Sequence, residues 1–140
     1  RARRSGAQHG GDITLVAGNA IGKIVGTIFD FMINAVNGLL VITNLPDRAS
    51  AEKLATALIE GRVAACVNIL APCRSVYRWK DAVQQEEEHP MLIKTTTERY
   101  PALEAAIRAG HPYELPEIIA LELERGLPEY LSWVADETKP

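Results

Sequence analysis

The sequence is short of the residue types that mark several classes of protein. It has only 2 Cys in 140 residues, Cys66 and Cys73, which is too few for the disulfide framework of a small secreted domain. Their positions allow one disulfide without requiring it, and reduced intracellular thiols are the more typical state for such a chain. The formal net charge is only −3, so no basic excess points to a nucleic-acid partner.

Sequence signatures of catalysis are also missing. The chain has no phosphate-binding loop, no HExxH, no paired CxxC and no Ser-His-Asp signature. Because no nucleophile can be named, we expect a protein that is not an enzyme. Hydrophobic residues make up 47% and charged residues 24% of the chain, which is the balance of a globular domain with a real core.

The first 38 residues differ from the rest and are predicted to form an N-terminal extension. Residues 1–12 are polar and basic, which is typical of a disordered tail. Residues 13–36 are mostly apolar and rich in glycine, and they are long enough to cross a bilayer. The alternatives are an apolar helix or hairpin packed on a domain or a neighbouring subunit, a membrane-associated segment, or a flexible appendage.

The glycine spacing in this apolar segment favours close helix packing. Gly18, Gly22 and Gly26 recur every four residues, so on a helix they would form one smooth face. Lys23 and Asp30 lie inside the segment, and each is costly in the middle of a bilayer. We therefore favour packing on protein over a membrane span, which stays open.

From residue 39 to residue 140 the chain alternates strand and helix patterns and is predicted to form one domain. The predicted strands are 39–45, 63–70, 74–80, 89–97 and 116–123, and the predicted helices are 46–61, 98–110 and 127–136. This order indicates an α+β fold, a ferredoxin-like sandwich built on a split βαβ. Helices would cover one face of an antiparallel sheet, and a subunit interface would cover the apolar second face.

Five motifs in one order carry a family resemblance. They are AACVNI (64–69), SVYRW (75–79), LIKTT (92–96), HPYELPEI (111–118) and YLSW (130–133). Residues 39–135 resemble the CutA proteins, named for divalent-cation tolerance. The resemblance implies a ferredoxin-like fold, a tight homotrimer with a cleft between subunits, a long bent hairpin at residues 74–96, and a C-terminal helix.

The resemblance also implies function. CutA proteins bind divalent metals such as copper, resemble the PII signalling proteins in architecture, and have no securely attached catalytic activity. The resemblance thus implies that the protein binds Cu²⁺ or another divalent cation and needs no organic cofactor. It also implies that the main partner of each chain is another copy of the same chain, in a homotrimer. We expect a cytoplasmic, trimeric protein that takes part in the response to metal ions. The alternative is a PII-like signalling or scaffold trimer that binds a small anionic ligand or a partner protein in its cleft.

His111 is the candidate metal ligand. It directly precedes Pro112, which fixes the backbone and so holds the imidazole in one direction. Neutral imidazole is a common metal ligand, but a closed site normally needs three or four ligands. The family associates copper with a Cys and a second His at positions that read here as Thr43 and Gly110. This departure disfavours tight copper binding by soft ligands, and a hydrogen bond across a subunit interface is the alternative role for His111.

A second group of side chains is predicted to line the intersubunit cleft: Tyr77, Trp79, Lys94, Tyr113, Glu117 and Glu86. Lys94 has apolar neighbours and needs a carboxylate or an anion, for which Glu117 or Glu86 are the candidate partners. The group would form either a pocket for a small anionic or aromatic ligand, or a buried ion-pair network that stabilises the trimer.

Three further residues and one short stretch carry smaller expectations. Cys66 lies among small apolar residues and is expected to be a buried, inert thiol, and Cys73 is expected in an exposed turn. The EEEH stretch at 86–89 is expected to be a solvated strand face rather than a metal cluster. Asp81 stands where the family usually has Gly, so the hairpin bend is expected to differ locally.

Overall fold

The computed structural model describes residues 21–26 and 36–140. The chain divides into two units, Arg1–Ala35 and Val36–Pro140. Residues 21–26 are helical, and the other predictions for residues 1–12 and 13–36 lie outside the described residues. Across 21–26 and 36–140, no helix is long and apolar enough to cross a membrane.

The second unit is an α+β fold built on an antiparallel β-sheet. Its strands are β1 (Gly38–Leu45), β2 (Cys66–Ile69), β3 (Cys73–Trp79), β4 (Ala82–Thr96) and β5 (Ile119–Glu122), and its helices are α1 (Arg48–Glu60), α2 (Tyr100–Gly110) and α3 (Pro128–Glu137). The order of the main sheet is β2-β4-β1-β5, and β3 pairs with the first half of β4. Every pair is antiparallel.

Strand β4 is the main departure from the predicted elements. The sequence predicts a strand from residue 89, whereas β4 begins at Ala82. Its first half pairs with β3, from Trp79↔Ala82 to Cys73↔Glu88, and its second half pairs with β1 and β2. The polar run before residue 89 hides this strand because both faces of a projecting hairpin meet polar surroundings. The resemblance did predict the long hairpin.

The core lies between the sheet and helices α1 and α2. Residues of alternate positions on β1 are buried, with Leu39, Val41 and Leu45 facing Leu58 of α1 and Ile107 of α2 in one cluster. Each large side chain buried this way contributes about 1.5–3 kcal/mol. Helix α1 begins where the Asp47 side chain accepts a hydrogen bond of 2.7 Å from the backbone N–H of Ser50 and so caps the helix.

The second face of the sheet is apolar and lacks a complete cover within the described residues. It carries the alternate positions of the same strands, among them Leu40, Ile42, Leu92, Ile119 and Leu121. Ile119 and Leu121 are 47% and 48% exposed. We name this surface, formed by these five residues, the open face. Such a contiguous apolar surface is typical of a protein interface.

Helix α3 is fixed to the end of α1 by one side chain. Arg62 donates from Nε to the carbonyl of Lys139 at 2.8 Å and from Nη2 to the carbonyl of Asp136 at 2.9 Å. These carbonyls belong to the last turn of α3 and its end, where a helix leaves backbone acceptors free. Val134 of α3 is buried. The C-terminal helix is therefore docked by both packing and hydrogen bonds.

The turn between β3 and β4 has an unusual backbone. Lys80 has a φ of 47° and Asp81 a φ of 65°, so both residues adopt the left-handed conformation. Two such residues form the tight hairpin turn whose twist matches antiparallel strands. The bend is thus made without the glycine that such a position favours.

Candidate ligand cleft

A cleft of about 1000 Å³ lies beside the β3–β4 hairpin. One wall is the hairpin, and the other is the 112–117 segment that joins α2 to β5. Asn44, near the end of β1, lies at its base. The volume is that of a site for a small organic molecule.

Strand alternation places the hairpin side chains in the cleft. Tyr77 and Trp79 are two residues apart on β3, and Glu86 and Glu88 are two apart on β4. In an antiparallel pair, residues that face each other across the register share one side of the sheet. All four side chains line the cleft.

The His-Pro-Tyr corner forms the start of the second wall. His111 ends α2 and is only 8% exposed. Its Nε2 lies 2.8 Å from the carbonyl oxygen of Asn44, and its Nδ1 accepts a hydrogen bond of 3.1 Å from the backbone N–H of Tyr113. Because Nδ1 accepts, Nε2 must carry the proton and donate to Asn44. Both ring nitrogens of the imidazole are thus engaged within the chain.

The environment of His111 favours the neutral imidazole. Burial lowers the pKa of His111 below its usual 6.5, although the Asn44 carbonyl and the Glu88 carboxylate act in the opposite direction. Protonation would also place an N–H on Nδ1 against the N–H of Tyr113. The ring therefore serves as a neutral structural link between α2 and β1.

Tyr113 packs on this imidazole and carries its phenol into the cleft. The two ring centroids are 4.9 Å apart, with the planes inclined at 48°. The Tyr113 hydroxyl oxygen is buried and has no hydrogen-bond partner among the described residues. Burial, followed by the charges of Glu88 and Glu86, raises the pKa of Tyr113 to about 12. Burial and the Glu86 carboxylate also raise the pKa of Tyr77.

The cleft is acidic. Four carboxylates line it, from Glu86, Glu88, Glu114 and Glu117. No lysine or arginine is among its lining residues in the described part of the chain. Glu117 accepts a hydrogen bond from the side-chain amide of Asn44, which holds the 112–117 wall against β1. The cleft therefore has the electrostatic character of a site for a positive group.

The structure brings together five of the six residues predicted for the cleft: Tyr77, Trp79, Tyr113, Glu117 and Glu86. Lys94 is the exception. Its Nζ donates to the side-chain carbonyl of Asn68, and it does not line the cleft. Within one chain Lys94 does not pair with Glu117 or Glu86, because Lys94 lies opposite Leu40 and Cys66 in the middle of the sheet, away from the hairpin.

Two other expectations need correction. Cys66 is only half-buried and is a free thiol beside Tyr130, since its side chain faces away from the core. The EEEH stretch is not a uniformly solvated face. Glu88 is only 7% exposed, because it lies where the hairpin meets the main sheet. Cys73 is free and exposed, as expected.

Sequence reasoning missed Glu88 and Asn44 as cleft residues. Side chains alternate between the two faces of β3, and the same alternation, continued through the turn into the acidic run, predicts that Glu88 faces the cleft. Asn44 carries no such signal. Its role depends on the approach of a segment that is remote in sequence, from His111 to Glu117.

The described residues of one chain do not fit a complete metal site. Within 21–26 and 36–140, no group of three or more His, Cys, Asp or Glu side chains is arranged to hold an ion. Thr43, at one family copper position, is fully buried in the core. A Cβ on Gly110, at the other, would meet Leu54 at 3.0 Å.

The fold and the cleft define a small α+β protein in which a long hairpin and a helix-to-strand corner enclose a ligand-sized space. The profile of the family described as CutA1 divalent ion tolerance protein matches residues 39–137. The chain belongs to this CutA1 family. The resemblance of residues 39–135 is thereby confirmed.

Individual relatives agree with this assignment. The chain is 42% identical over 99 residues to the divalent-cation tolerance protein CutA of Thermus thermophilus, covering 71% of this chain and 96% of that protein. It is 43% identical over 94 residues to protein CutA of Mus musculus, covering 67% of this chain and 53% of the mouse protein. The CutA1 structure from Shewanella sp. SIB1 matches with a TM-score of 0.72 at 41% identity, over 75% of this chain and 98% of that one.

Proposed function

We propose that this protein is a trimeric divalent-cation tolerance protein that binds a divalent metal such as copper and takes part in the response to metal ions. The observation that carries the proposal is the match of the CutA1 family over the domain, together with relatives named for divalent-cation tolerance. These names describe tolerance and not a catalysed reaction.

The open face supports the proposed trimer. Ferredoxin-like packing covers one side of the sheet with α1 and α2 and leaves Ile119 and Leu121 about half exposed. Three copies that bring their open faces together would bury these side chains. The same assembly would close the cleft with residues of a neighbouring copy.

Metal binding, on this proposal, requires more than one copy. His111 is the candidate ligand, but its Nδ1 lone pair is held by the N–H of Tyr113 and would have to be released. Other ligands would come from neighbouring copies. Since Thr43 replaces the family Cys, we expect oxygen and nitrogen ligands rather than thiolate.

Native mass spectrometry with Cu²⁺ and Zn²⁺ tests the metal role. We expect a trimer that takes up a fixed number of ions per three chains. The His111→Gln variant should lose this uptake and remain trimeric, and His89→Gln, a control on β4, should keep it. A trimer that stays metal-free at near-stoichiometric ion would contradict the proposal.

A matched pair of substitutions tests the assembly. Ile119→Lys places a charge on the open face, whereas Ile59→Lys places the same charge on α1, at a side chain that is 41% exposed against 47% for Ile119. Light scattering should show dissociation of the first variant and a trimer for the second. A wild-type monomer at micromolar concentration would refute the trimer.

The PII-like alternative receives support from the cleft itself. Its volume and aromatic lining favour a small organic ligand. The four lining carboxylates disfavour an anion unless a neighbouring copy brings positive charge. An anionic metabolite that raises the melting temperature of metal-free trimer would favour this alternative.

The proposed compartment is the cytoplasm. Both thiols, Cys66 and Cys73, are free, which suits a reducing environment. Two relatives carry other locations in their names, a chloroplastic protein of Arabidopsis thaliana and a periplasmic protein of Archaeoglobus fulgidus. Fractionation of the native cells with an antibody to this protein tests the proposal.

A further inference from the structure

A largely buried glutamate without a counter-charge lines the cleft. Glu88 is only 7% exposed, and no lysine, arginine or histidine of the described residues forms an ion pair with it. A carboxylate with little access to water is stabilised by a cation or by hydrogen-bond donors beside it. The nearby Tyr113 hydroxyl is a neutral group, and its pKa is raised in part by Glu88, so it supplies no counter-charge. The position of Glu88 is thus suited to a positive group that comes from outside the chain.

Aromatic rings stand around this carboxylate. Tyr77, Trp79 and Tyr113 line the same cleft, on both of its walls. The faces of such rings attract cations, and Trp79 already has the ammonium of Lys80 at 5.8 Å from its ring centroid. Lys80 does not line the cleft, so its ammonium does not serve as a counter-charge for Glu88 there.

We propose that the cleft binds a small organic cation of the amine or guanidinium class, with Glu88 as its counter-charge and Tyr77, Trp79 and Tyr113 as its walls. The ligand's N–H groups would donate to the Glu88 carboxylate, and the free Tyr113 hydroxyl oxygen would accept a further hydrogen bond. The Glu86 carboxylate, on the same side of β4, lies where it can receive a second positive group.

The chemistry favours an organic cation over the other small ligands. An anion would approach four carboxylates without any lining lysine or arginine. A bare divalent ion needs several converging oxygen ligands, and the described residues hold no such group of three. Aromatic walls contribute to binding an organic cation but supply no ligands to a hard metal ion.

Calorimetric titration of the purified protein with putrescine and agmatine, in the presence of EDTA, tests this proposal. Glu88→Gln removes the charge at constant size, and Glu87→Gln makes the same change at the neighbouring residue on the exposed, opposite side of β4. We expect saturable binding that weakens at higher salt, is at least about tenfold weaker in Glu88→Gln, and is unchanged in Glu87→Gln.

Trp79 supplies an independent readout. In a Trp133→Phe background it is the only tryptophan, so its fluorescence should change on addition of agmatine and stay constant on addition of citrate. Equal affinity of the Glu88→Gln and wild-type trimers, binding of citrate in preference to both amines, or no binding at millimolar amine would overturn the proposal.

These outcomes are separable from those of the metal proposal. EDTA removes divalent ions from the titration, so amine binding does not depend on metal uptake. Metal uptake by native mass spectrometry is measured without amine. Binding of amines without uptake of metal would support the organic-cation proposal and contradict the metal role. Uptake of metal without binding of amines would support the metal role and contradict the organic-cation proposal.

Discussion

His111 donates a hydrogen bond from Nε2 to the carbonyl oxygen of Asn44, 67 residues earlier in the chain, at 2.8 Å. The contact ties the end of α2 to the end of β1, and the Tyr113 N–H fixes the tautomer from the other side of the ring. The link places Tyr113 in the cleft. The His-Pro-Tyr motif thus has a structural role that needs a neutral imidazole.

The folded protein should therefore become less stable as the pH is lowered below the usual pKa of histidine. Because burial lowers the pKa of His111, the unfolded chain takes up a proton near pH 6.5 that the folded chain does not. The contribution is fully present above pH 6.5 and is lost as the pH falls toward the folded-state pKa. Urea unfolding at a fixed chain concentration should show this loss, at most about 1.4 kcal/mol per pH unit.

The measurement isolates His111 by comparison of variants. His111→Gln should be less stable at neutral pH and should show a weaker dependence between about pH 8 and about pH 5.5. His89→Gln, which keeps the buried imidazole, should retain the wild-type dependence. An identical pH profile for wild type and His111→Gln would show that His111 does not remain neutral in the fold.

A buried hydroxyl in the core offers a stabilising substitution. Thr43 is fully buried on β1, and its Oγ1 has no hydrogen-bond partner among the described residues. Replacing it with the isosteric valine removes an unsatisfied polar group, so Thr43→Val should raise the free energy of unfolding by about 1–2 kcal/mol. Denaturant titration measures the change.

Thr95 provides the matched control for this change. It is equally buried, but its Oγ1 donates to the carbonyl of Val63 at 2.7 Å. Thr95→Val should therefore lower the free energy of unfolding by about 1 kcal/mol. If both substitutions destabilise the protein by similar amounts, the Thr43 hydroxyl has a hydrogen-bond partner in solution and is not an unsatisfied group.

The elements could be predicted from the sequence where local patterns and core burial agree. Helix α1 follows from apolar spacing and the Asp47 cap, and β1 follows from a β-branched run with alternate residues in the core. The first half of β4 could not be found this way. Its residues 82–87 have no core to face, so the hydrophobic pattern that reveals a strand is absent.

The cleft was predictable only in part, because its walls are remote in sequence. Motif positions supplied Tyr77, Trp79 and Tyr113, but no local pattern showed that Asn44 binds both His111 and Glu117. The partner that Lys94 has within the chain was missed for the same reason. Pairing across strands gives it Asn68, from β2, and strand register cannot be read from charge complementarity alone.

The turn between β3 and β4 should be more stable with glycine at position 81 than with the native Asp81. Asp81 has a φ of 65°, and a side chain in this region costs about 1 kcal/mol, less for Asp than for most residues. Asp81→Gly should stabilise the protein by about 0.5–1 kcal/mol. Asp81→Ala loses the same carboxylate but keeps the backbone cost, so thermal unfolding should show no gain for alanine. Equal effects of both variants would place the cause in the carboxylate.

The docking of α3 should depend on the side chain of Arg62. Its guanidinium donates to the carbonyls of Lys139 and Asp136, and Arg62→Met keeps the apolar stem but loses both bonds. We expect a loss of about 1 kcal/mol in stability and faster amide exchange confined to α3. Arg62→Lys should be intermediate, because one ammonium cannot reproduce the fork that spans two carbonyls.

Arg48 is the control for this last change. It forms an exposed ion pair with Glu52 at 2.7 Å within one helix, so Arg48→Met should cost less than about 0.5 kcal/mol. Exchange in α3 should stay at the wild-type rate in that variant. If Arg62→Met exchanges uniformly faster across the domain instead, Arg62 supports the whole fold rather than the position of the C-terminal helix. In that case α3 would not open as a separate unit.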